Sequence, residues 1–116
     1  MNIQIYGKSK CFDTKKAQRY FKERKIKFQD IDILKFGLSP GEYKSVKAAL
    51  GGNFYKLMDS ESKAYQDCFI EHLATDEARE GKFMENFALY KTPIVRNGRK
   101  ATIGYQPEIW KKWLET

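Results

Sequence analysis

Cys11 is the side chain with the strongest chemical signal in this sequence, because its neighbours are polar and basic. Lys8 and Lys10 precede it, and Lys15 follows four residues later. A cysteine reacts as its thiolate, and a free thiol with a pKa of about 8.5 is mostly protonated at neutral pH. Nearby ammonium groups favour the thiolate, so this segment is predicted to hold a reactive nucleophile.

The position of Cys11 relative to the first predicted helix indicates the same chemistry. Asp13 and Thr14 are residue types that begin helices, so Cys11 is expected at or just before a helix N-terminus. Backbone N–H groups and the helix dipole favour an anion there, although the Asp13 carboxylate opposes it. The alternative to a reactive thiol is a cysteine that packs as a small buried apolar residue. That alternative is favoured for Cys68. The sequence does not decide whether Cys68 lies near enough to Cys11 to act as its resolving thiol.

No other pattern in the sequence predicts a catalytic or metal site. His72 is the single histidine, and no cysteine pair has metal-ligand spacing, so no metal ligands are predicted. Phosphate-cradling glycine loops, nucleophilic serine motifs and HEXXH are absent. Trp110 and Trp113 are expected to pack in the core, with a partner-docking patch as the alternative. No bound cofactor is predicted.

The net charge of +7 is unevenly distributed along the chain. Residues 1–48 contain 12 Lys or Arg against 5 Asp or Glu, whereas residues 49–116 contain 10 of each. The excess favours an anionic partner such as glutathione, an oxyanion or an acidic protein surface; a solvated lysine-rich surface is the alternative. A basic patch is also typical of nucleic-acid binding, but no helix-turn-helix signature supports direct contact.

The length and hydropathy of the chain predict one cytoplasmic domain. The 116 residues match the size of a single domain. No apolar run reaches the roughly 18–20 residues that span a bilayer. The first six residues lack the features of a signal peptide, and two cysteines imply no disulfide framework. We therefore expect a protein that contacts no membrane.

The predicted elements follow the order β-α-β, a helical stretch and then β-β-α. Residues 2–6 alternate as a strand that Gly7 ends, and a helix follows to about Lys25. Residues 26–31 form the next strand, which a right-handed crossover would make parallel to the first. Near the C-terminus, Asn97-Gly98 predicts a hairpin turn between two short strands.

The middle of the chain is predicted to be helical. Ser39-Pro40-Gly41-Glu42 is a helix start with a capping box, and Gly51-Gly52 ends that helix. Residues 53–90 are predicted to be mostly helical, with starts near Ser60 and Thr75 and a break at Gly81.

Three segments carry a family resemblance when they are taken together. They are the thiol loop of residues 6–17, the Thr92-Pro93-Ile94-Val95 segment, and Gly104-Tyr105 before the last helix. In this order they resemble the arsenate reductase (ArsC) and Spx family of the thioredoxin-like superfamily, over essentially the full chain. The resemblance implies an α/β thioredoxin-like fold: a mixed central sheet of about four strands flanked by helices. It implies one domain over residues 1–116, with a helical insertion at about 38–90.

The resemblance also implies roles for particular residues. Pro93 would be cis beside the thiol, and the Thr92 backbone would pair with an extended peptide or glutathione. Lys15 occupies the position of a basic residue in the family's cysteine loop, and with Lys8 and Lys10 it would stabilise the thiolate and attract an anion. Residues 11–14 carry threonine where a dithiol protein has its second cysteine. A monothiol mechanism is therefore expected, with glutathione or glutaredoxin as external reductant.

The sequence differs from the family pattern at two positions that would contact the substrate. Arsenate reductases of this family hold the oxyanion with arginines in the insertion and just before the proline. Here those positions are Glu61 and Thr92, while Lys91 and Arg96 are nearby candidates for anion contacts. Arginine is the better bidentate partner of an oxyanion, so true arsenate reduction is doubtful. A glutathione-type disulfide or another small oxyanion is the expected substrate.

A regulatory function is the alternative. The match at Gly104-Tyr105 and the basic N-terminal half are also typical of an Spx-like regulator that binds RNA polymerase. Because the loop dithiol is missing, such a regulator would act without that redox switch.

Overall fold

The computed structural model describes residues 2–115, which form a four-stranded sheet with helices on both faces. Its elements are β1 (Ile3–Gly7), α1 (Phe12–Glu23), β2 (Phe28–Asp32), α2 (Ile33–Phe36), α3 (Pro40–Ala49), α4 (Lys63–Asp67), α5 (Asp76–Glu85), β3 (Ile94–Asn97), β4 (Lys100–Ile103) and α6 (Pro107–Leu114). Three short 3-10 turns lie at Phe54–Lys56, Ile70–His72 and Phe87–Leu89. Within residues 2–115, no helix is both long and apolar enough to span a bilayer.

The strand order is β2-β1-β3-β4, and the sheet is mixed as predicted. β1 pairs with β2 in parallel, and β3 pairs with both β1 and β4 in the antiparallel sense. The parallel pair requires the α1 crossover, whereas the antiparallel pair β3–β4 needs only a two-residue turn. Asn97 pairs with Lys100, so the turn residues are Gly98 and Arg99, one position later than the predicted Asn97-Gly98 turn. This arrangement confirms the predicted fold class.

Alternation along the strands divides the core into two apolar layers. Ile3, Ile5 and Val95 face α1 and α6 and pack with the two tryptophans, while Tyr6 and Ile94 face α3, α5 and the rest of the helical segment. Alternate residues of a strand point to opposite faces, which explains this division.

The tryptophans of α6 belong to the core. Trp110 is fully buried, and its indole N–H donates to the Thr102 hydroxyl at 2.8 Å. Its ring also makes an edge contact with Tyr20. Trp113 is buried in the same layer. The predicted packing role is confirmed, and the alternative of a docking patch at these two residues is wrong.

The helical segment begins as predicted but differs later. The Ser39 hydroxyl accepts from the Glu42 N–H, and the Glu42 carboxylate accepts from the Ser39 N–H, which completes the capping box. α4 begins just after Ser62 instead of near Ser60, and Thr75 caps α5 as predicted. The predicted break at Gly81 is wrong, because Gly81 lies inside α5. Burial of Phe83 on the same helix offsets the roughly 1 kcal/mol helix penalty of glycine.

Candidate functional site

The thiol lies where the first helix begins, next to the segment before β3. Cys11 is the N-cap of α1, which confirms the prediction that it lies at a helix N-terminus. The half-buried Sγ–H donates to the Thr92 carbonyl oxygen at 3.5 Å. The Thr92–Pro93 peptide bond is cis, as the resemblance implied. The fold therefore joins two predicted segments that are about 80 residues apart in the sequence.

Hydrogen bonds set the protonation of this thiol. Burial raises the pKa of Cys11, but hydrogen bonds from the Thr14 and Thr92 side chains lower it. The backbone N–H groups of Thr14 and Asp13 lower it further, and the net effect is a pKa below the ordinary value. The thiolate is thus favoured by donors at the first turn of α1, which is the reason a helix N-terminus suits an anion.

Thr14 belongs to the candidate site, although the sequence does not predict a role for it beside the thiol. Its sequence position predicts only a helix-start residue that replaces a second cysteine. In the structure it is buried, its side chain lowers the pKa of Cys11, and its hydroxyl accepts weakly from the Lys8 N–H at 3.4 Å. The available signal was its spacing, because residues three apart lie on the same face of a helix turn.

We expect Thr14→Val to move the pH dependence of Cys11 reactivity to higher pH. Valine keeps the shape of threonine but removes a hydroxyl that lowers the thiol pKa. Alkylation of Cys11 should be several-fold slower than in the wild type at pH values below both pKa values, and the rates should converge at alkaline pH. Stopped-flow alkylation across pH measures this.

Thr75→Val is the matched control for that variant. Thr75 caps α5 and is exposed, so its loss affects a helix remote from the thiol. An unchanged alkylation profile in Thr14→Val, or an equal shift in Thr75→Val, would contradict the role of the Thr14 hydroxyl.

The three lysines predicted to assist Cys11 have different positions. Lys8 Nζ donates to the carbonyl oxygens of Tyr90 at 2.7 Å and Ala88 at 3.0 Å, so it ties the thiol loop to the segment before Pro93. Burial lowers the pKa of Lys8, while the Asp59 carboxylate and Cys11 partly offset that effect. Lys10 lines the same groove as the thiol.

Lys15 is not brought to the groove. Its Nζ lies 5.9 Å from the centre of the Phe12 ring, on the exposed side of α1. The resemblance predicts that Lys15, with Lys8 and Lys10, stabilises the thiolate. In the structure Lys15 lies outside the lining of the groove, and the groups that lower the pKa of Cys11 are Thr14, Thr92 and Asp13.

An open groove of about 790 Å³ surrounds the thiol. The thiol loop, the segment before Pro93, β4, the start of α6 and the helical insertion all contribute to its lining. Four ammonium groups and two carboxylates line it: Lys8, Lys10, Lys56, Lys91, Asp13 and Asp59. The excess of positive charge is suited to an anionic ligand. Lys56, which comes from the insertion, was not identified from the sequence.

Arg96 does not reach this groove. Its guanidinium donates to Gln4 Oε1 at 3.2 Å and to the Tyr6 hydroxyl at 3.3 Å, and it lies 3.7 Å from a Glu42 oxygen. Its side chain is only 14% exposed. Arg96 therefore fastens α3 to the sheet, and the structure does not support its predicted role as an anion contact.

Glu61 and Cys68 also lie outside the lining of the groove. Glu61 is exposed in the turn before α4. Cys68 ends α4 and is partly buried against the apolar layer beneath α3. The residues that the structure brings together with Cys11 are thus Lys8, Lys10, Lys91, Thr92 and Pro93.

Comparison with known proteins agrees with this geometry. The chain is 25% identical to the global transcriptional regulator Spx 2 of Oceanobacillus iheyensis, over 98% of this chain and 84% of that protein. The solved arsenate reductase from Vibrio cholerae is 24% identical with a TM-score of 0.81, covering 97% of each chain. The glutaredoxin-like NrdH-redoxin from Escherichia coli is more distant, with 14% identity and a TM-score of 0.50 over 97% of this chain and 93% of that one.

These similarities establish a thioredoxin-like fold for the chain. The model of the ArsC family matches residues 6–113, which include the thiol loop, the Thr92-Pro93 segment and most of the last helix. Since that match covers nearly the whole sequence, the chain belongs to the ArsC family.

Proposed function

We propose that this protein is a monothiol, thiol-dependent oxidoreductase in which Cys11 attacks a small oxyanion or a glutathione-type disulfide. The observation that carries the proposal is the placement of Cys11: a thiol with a lowered pKa at a helix N-terminus, beside Thr92 and in an open cationic groove. We also propose that it works in the cytoplasm, where thiols stay reduced.

The chemistry with a glutathione-type disulfide is a two-step exchange. The Cys11 thiolate attacks one sulfur, the S–S bond breaks, and the other half leaves as a thiolate that takes up a proton. A second glutathione thiolate, or a glutaredoxin, then attacks the mixed disulfide at Cys11. This step oxidises the external thiol to a disulfide and restores the Cys11 thiolate. The substrate disulfide gains two electrons, and the external thiols supply them.

The groove offers matching contacts for glutathione. The Thr92 N–H has no hydrogen-bond partner within residues 2–115, so it is available to an extended backbone. Lys56 and Lys91 line the groove and can attract the glutathione carboxylates. The groove volume falls within the range of small-molecule sites, which is about 300–1,000 Å³.

We propose a disulfide in preference to arsenate. The cations that line the described groove are lysines, which bind an oxyanion as point charges without the planar fork of arginine. Arg96 is held by Glu42 and Tyr6 away from the groove.

The test compares substrates on the purified protein. Arsenate and a cysteine–glutathione mixed disulfide are each assayed with glutathione, with and without glutaredoxin, by coupling to glutathione reductase. We expect turnover of the mixed disulfide and little or none of arsenate. Turnover of arsenate alone would contradict the preferred substrate, and inactivity on both would refute the oxidoreductase proposal.

An Spx-like regulatory function is the second candidate, and the similarity to proteins named Spx 2 favours it. Thr14 stands where a loop dithiol would need its second cysteine, so binding to RNA polymerase would not depend on that switch. Affinity capture of RNA polymerase by both the wild-type protein and Cys11→Ser would support the regulator. Absence of capture together with disulfide turnover would support the enzyme.

A further inference from the structure

The exposed side of α1 is a basic surface that begins at the thiol. Helical spacing leaves four exposed cations opposite the buried Ala17 and Phe21, and we call them the α1 basic stripe: Lys15, Lys16, Arg19 and Lys22. Glu23 is an exposed acidic residue on this side of α1, and Asp13 in the first turn lies 4.0 Å from the Lys16 ammonium. A helix of 12 residues is about 18 Å long, so the positive field extends well beyond the groove that holds Cys11.

Apolar side chains are exposed at the thiol end of this stripe. Phe12 follows Cys11 directly and is 78% exposed, and Ile109, which lines the groove, is 40% exposed. Tyr105 is also 40% exposed, and Lys16 Nζ lies 5.7 Å from the centre of its ring. Exposed aromatic and aliphatic groups within a polar surround are typical of protein-contact surfaces. A small ligand inside the groove would leave Phe12 in solvent.

We propose that Cys11 acts on a glutathione mixed disulfide carried by a protein, at a cysteine in an acidic segment with an apolar side chain nearby. This rests on the proposed function and names its substrate class. The apolar side chain packs on Phe12 and Ile109, and the carboxylates lie along the α1 basic stripe. The charge complementarity matters most at low ionic strength, since the Debye length is about 10 Å at 0.1 M salt.

The reaction at this surface is a glutathionyl transfer. The Cys11 thiolate attacks the glutathione sulfur, the bond to the protein sulfur breaks, and the protein cysteine leaves as a thiolate that is protonated. A glutathione thiolate then attacks the Cys11–glutathione disulfide, which releases oxidised glutathione and restores Cys11. A nucleic acid would be attracted by the same stripe, but it has no sulfur for Cys11 to attack.

The test uses two short peptides, each with one glutathionylated cysteine and one leucine. Glutamates flank the cysteine in one peptide, and glutamines flank it in the other. We expect a higher kcat/KM for the acidic peptide, and added salt should remove the difference. The double variant Arg19→Glu/Lys22→Glu should lower kcat/KM for the acidic peptide by about five- to tenfold at low salt. It should leave turnover of cysteine–glutathione disulfide unchanged.

The matched control is Lys44→Glu/Arg99→Glu. Both residues are exposed, and the double variant makes the same change in net charge outside α1 and the groove. Equal kcat/KM for the two peptides, or equal losses in the two double variants, would overturn the inference while the proposed function stands. An oligonucleotide that binds through Arg19 and Lys22, with no preference for the acidic peptide, would overturn it in favour of nucleic acid. Inactivity on the small disulfide would remove the proposed function and this inference together.

Discussion

Replacing Cys11 by serine should reduce disulfide turnover on the order of 10³-fold or more, because a serine hydroxyl is not ionised at neutral pH and cannot form the mixed disulfide. The free energy of unfolding should change little. Cys11 is the N-cap of α1, and serine is a favourable N-cap residue. Turnover of cysteine–glutathione disulfide and chemical denaturation measure the two effects.

Cys68→Ser is the matched control, since Cys68 lies outside the lining of the groove. It should keep nearly full turnover while losing some stability, because the sulfur packs against the apolar layer beneath α3. If Cys68→Ser is as inactive as Cys11→Ser, Cys68 is the resolving thiol and the monothiol mechanism is wrong. Trapping the Cys11–glutathione adduct by mass spectrometry separates these two results.

Replacing Gly7 by alanine should destabilise the protein and impair the thiol at the same time. A Cβ atom at Gly7 would lie 2.2 Å from Thr14 Cγ2 and 2.8 Å from Thr14 Oγ1, so the buried Thr14 would have to move. We expect a loss of about 1–3 kcal/mol in the free energy of unfolding. The pKa of Cys11 should also rise, because the displaced Thr14 hydroxyl no longer stabilises the thiolate.

Two further variants test this explanation. Gly41→Ala is the matched control, since no atom lies within 4 Å of a Cβ at that position in α3, and it should be neutral or slightly stabilising. Thr14→Ser removes the clashing methyl group, so it should recover part of the stability lost in Gly7→Ala. If Gly7→Ala is as stable as the wild type, the close contact between β1 and α1 is not required.

Local patterns in the sequence were sufficient for most elements of the fold. The alternation of Ile3 and Ile5, the capping box at Ser39 and the presence of a tight turn near Gly98 depend on neighbours within a few residues. These interactions are the same in any context. The predicted break at Gly81 is wrong because burial of Phe83 on the same helix outweighs the local preference of glycine. The later start of α4 is itself local, since the Ser62 hydroxyl caps that helix.

The sequence by itself determined that position 11 carries a thiol among basic residues at a helix start, and that a Thr-Pro segment precedes a hairpin. It could not determine which groups stabilise the thiolate. The partners of Lys8 and Arg96 are far away in the chain. The sequence does not show that the Thr14 side chain is turned inward. Only the tertiary packing buried Thr14 against β1, placed the Lys8 ammonium on the Tyr90 carbonyl, and brought Arg96 to Glu42. Hydrogen bonds and ion pairs act over a few ångströms, so their assignment needs distances that only the folded chain supplies.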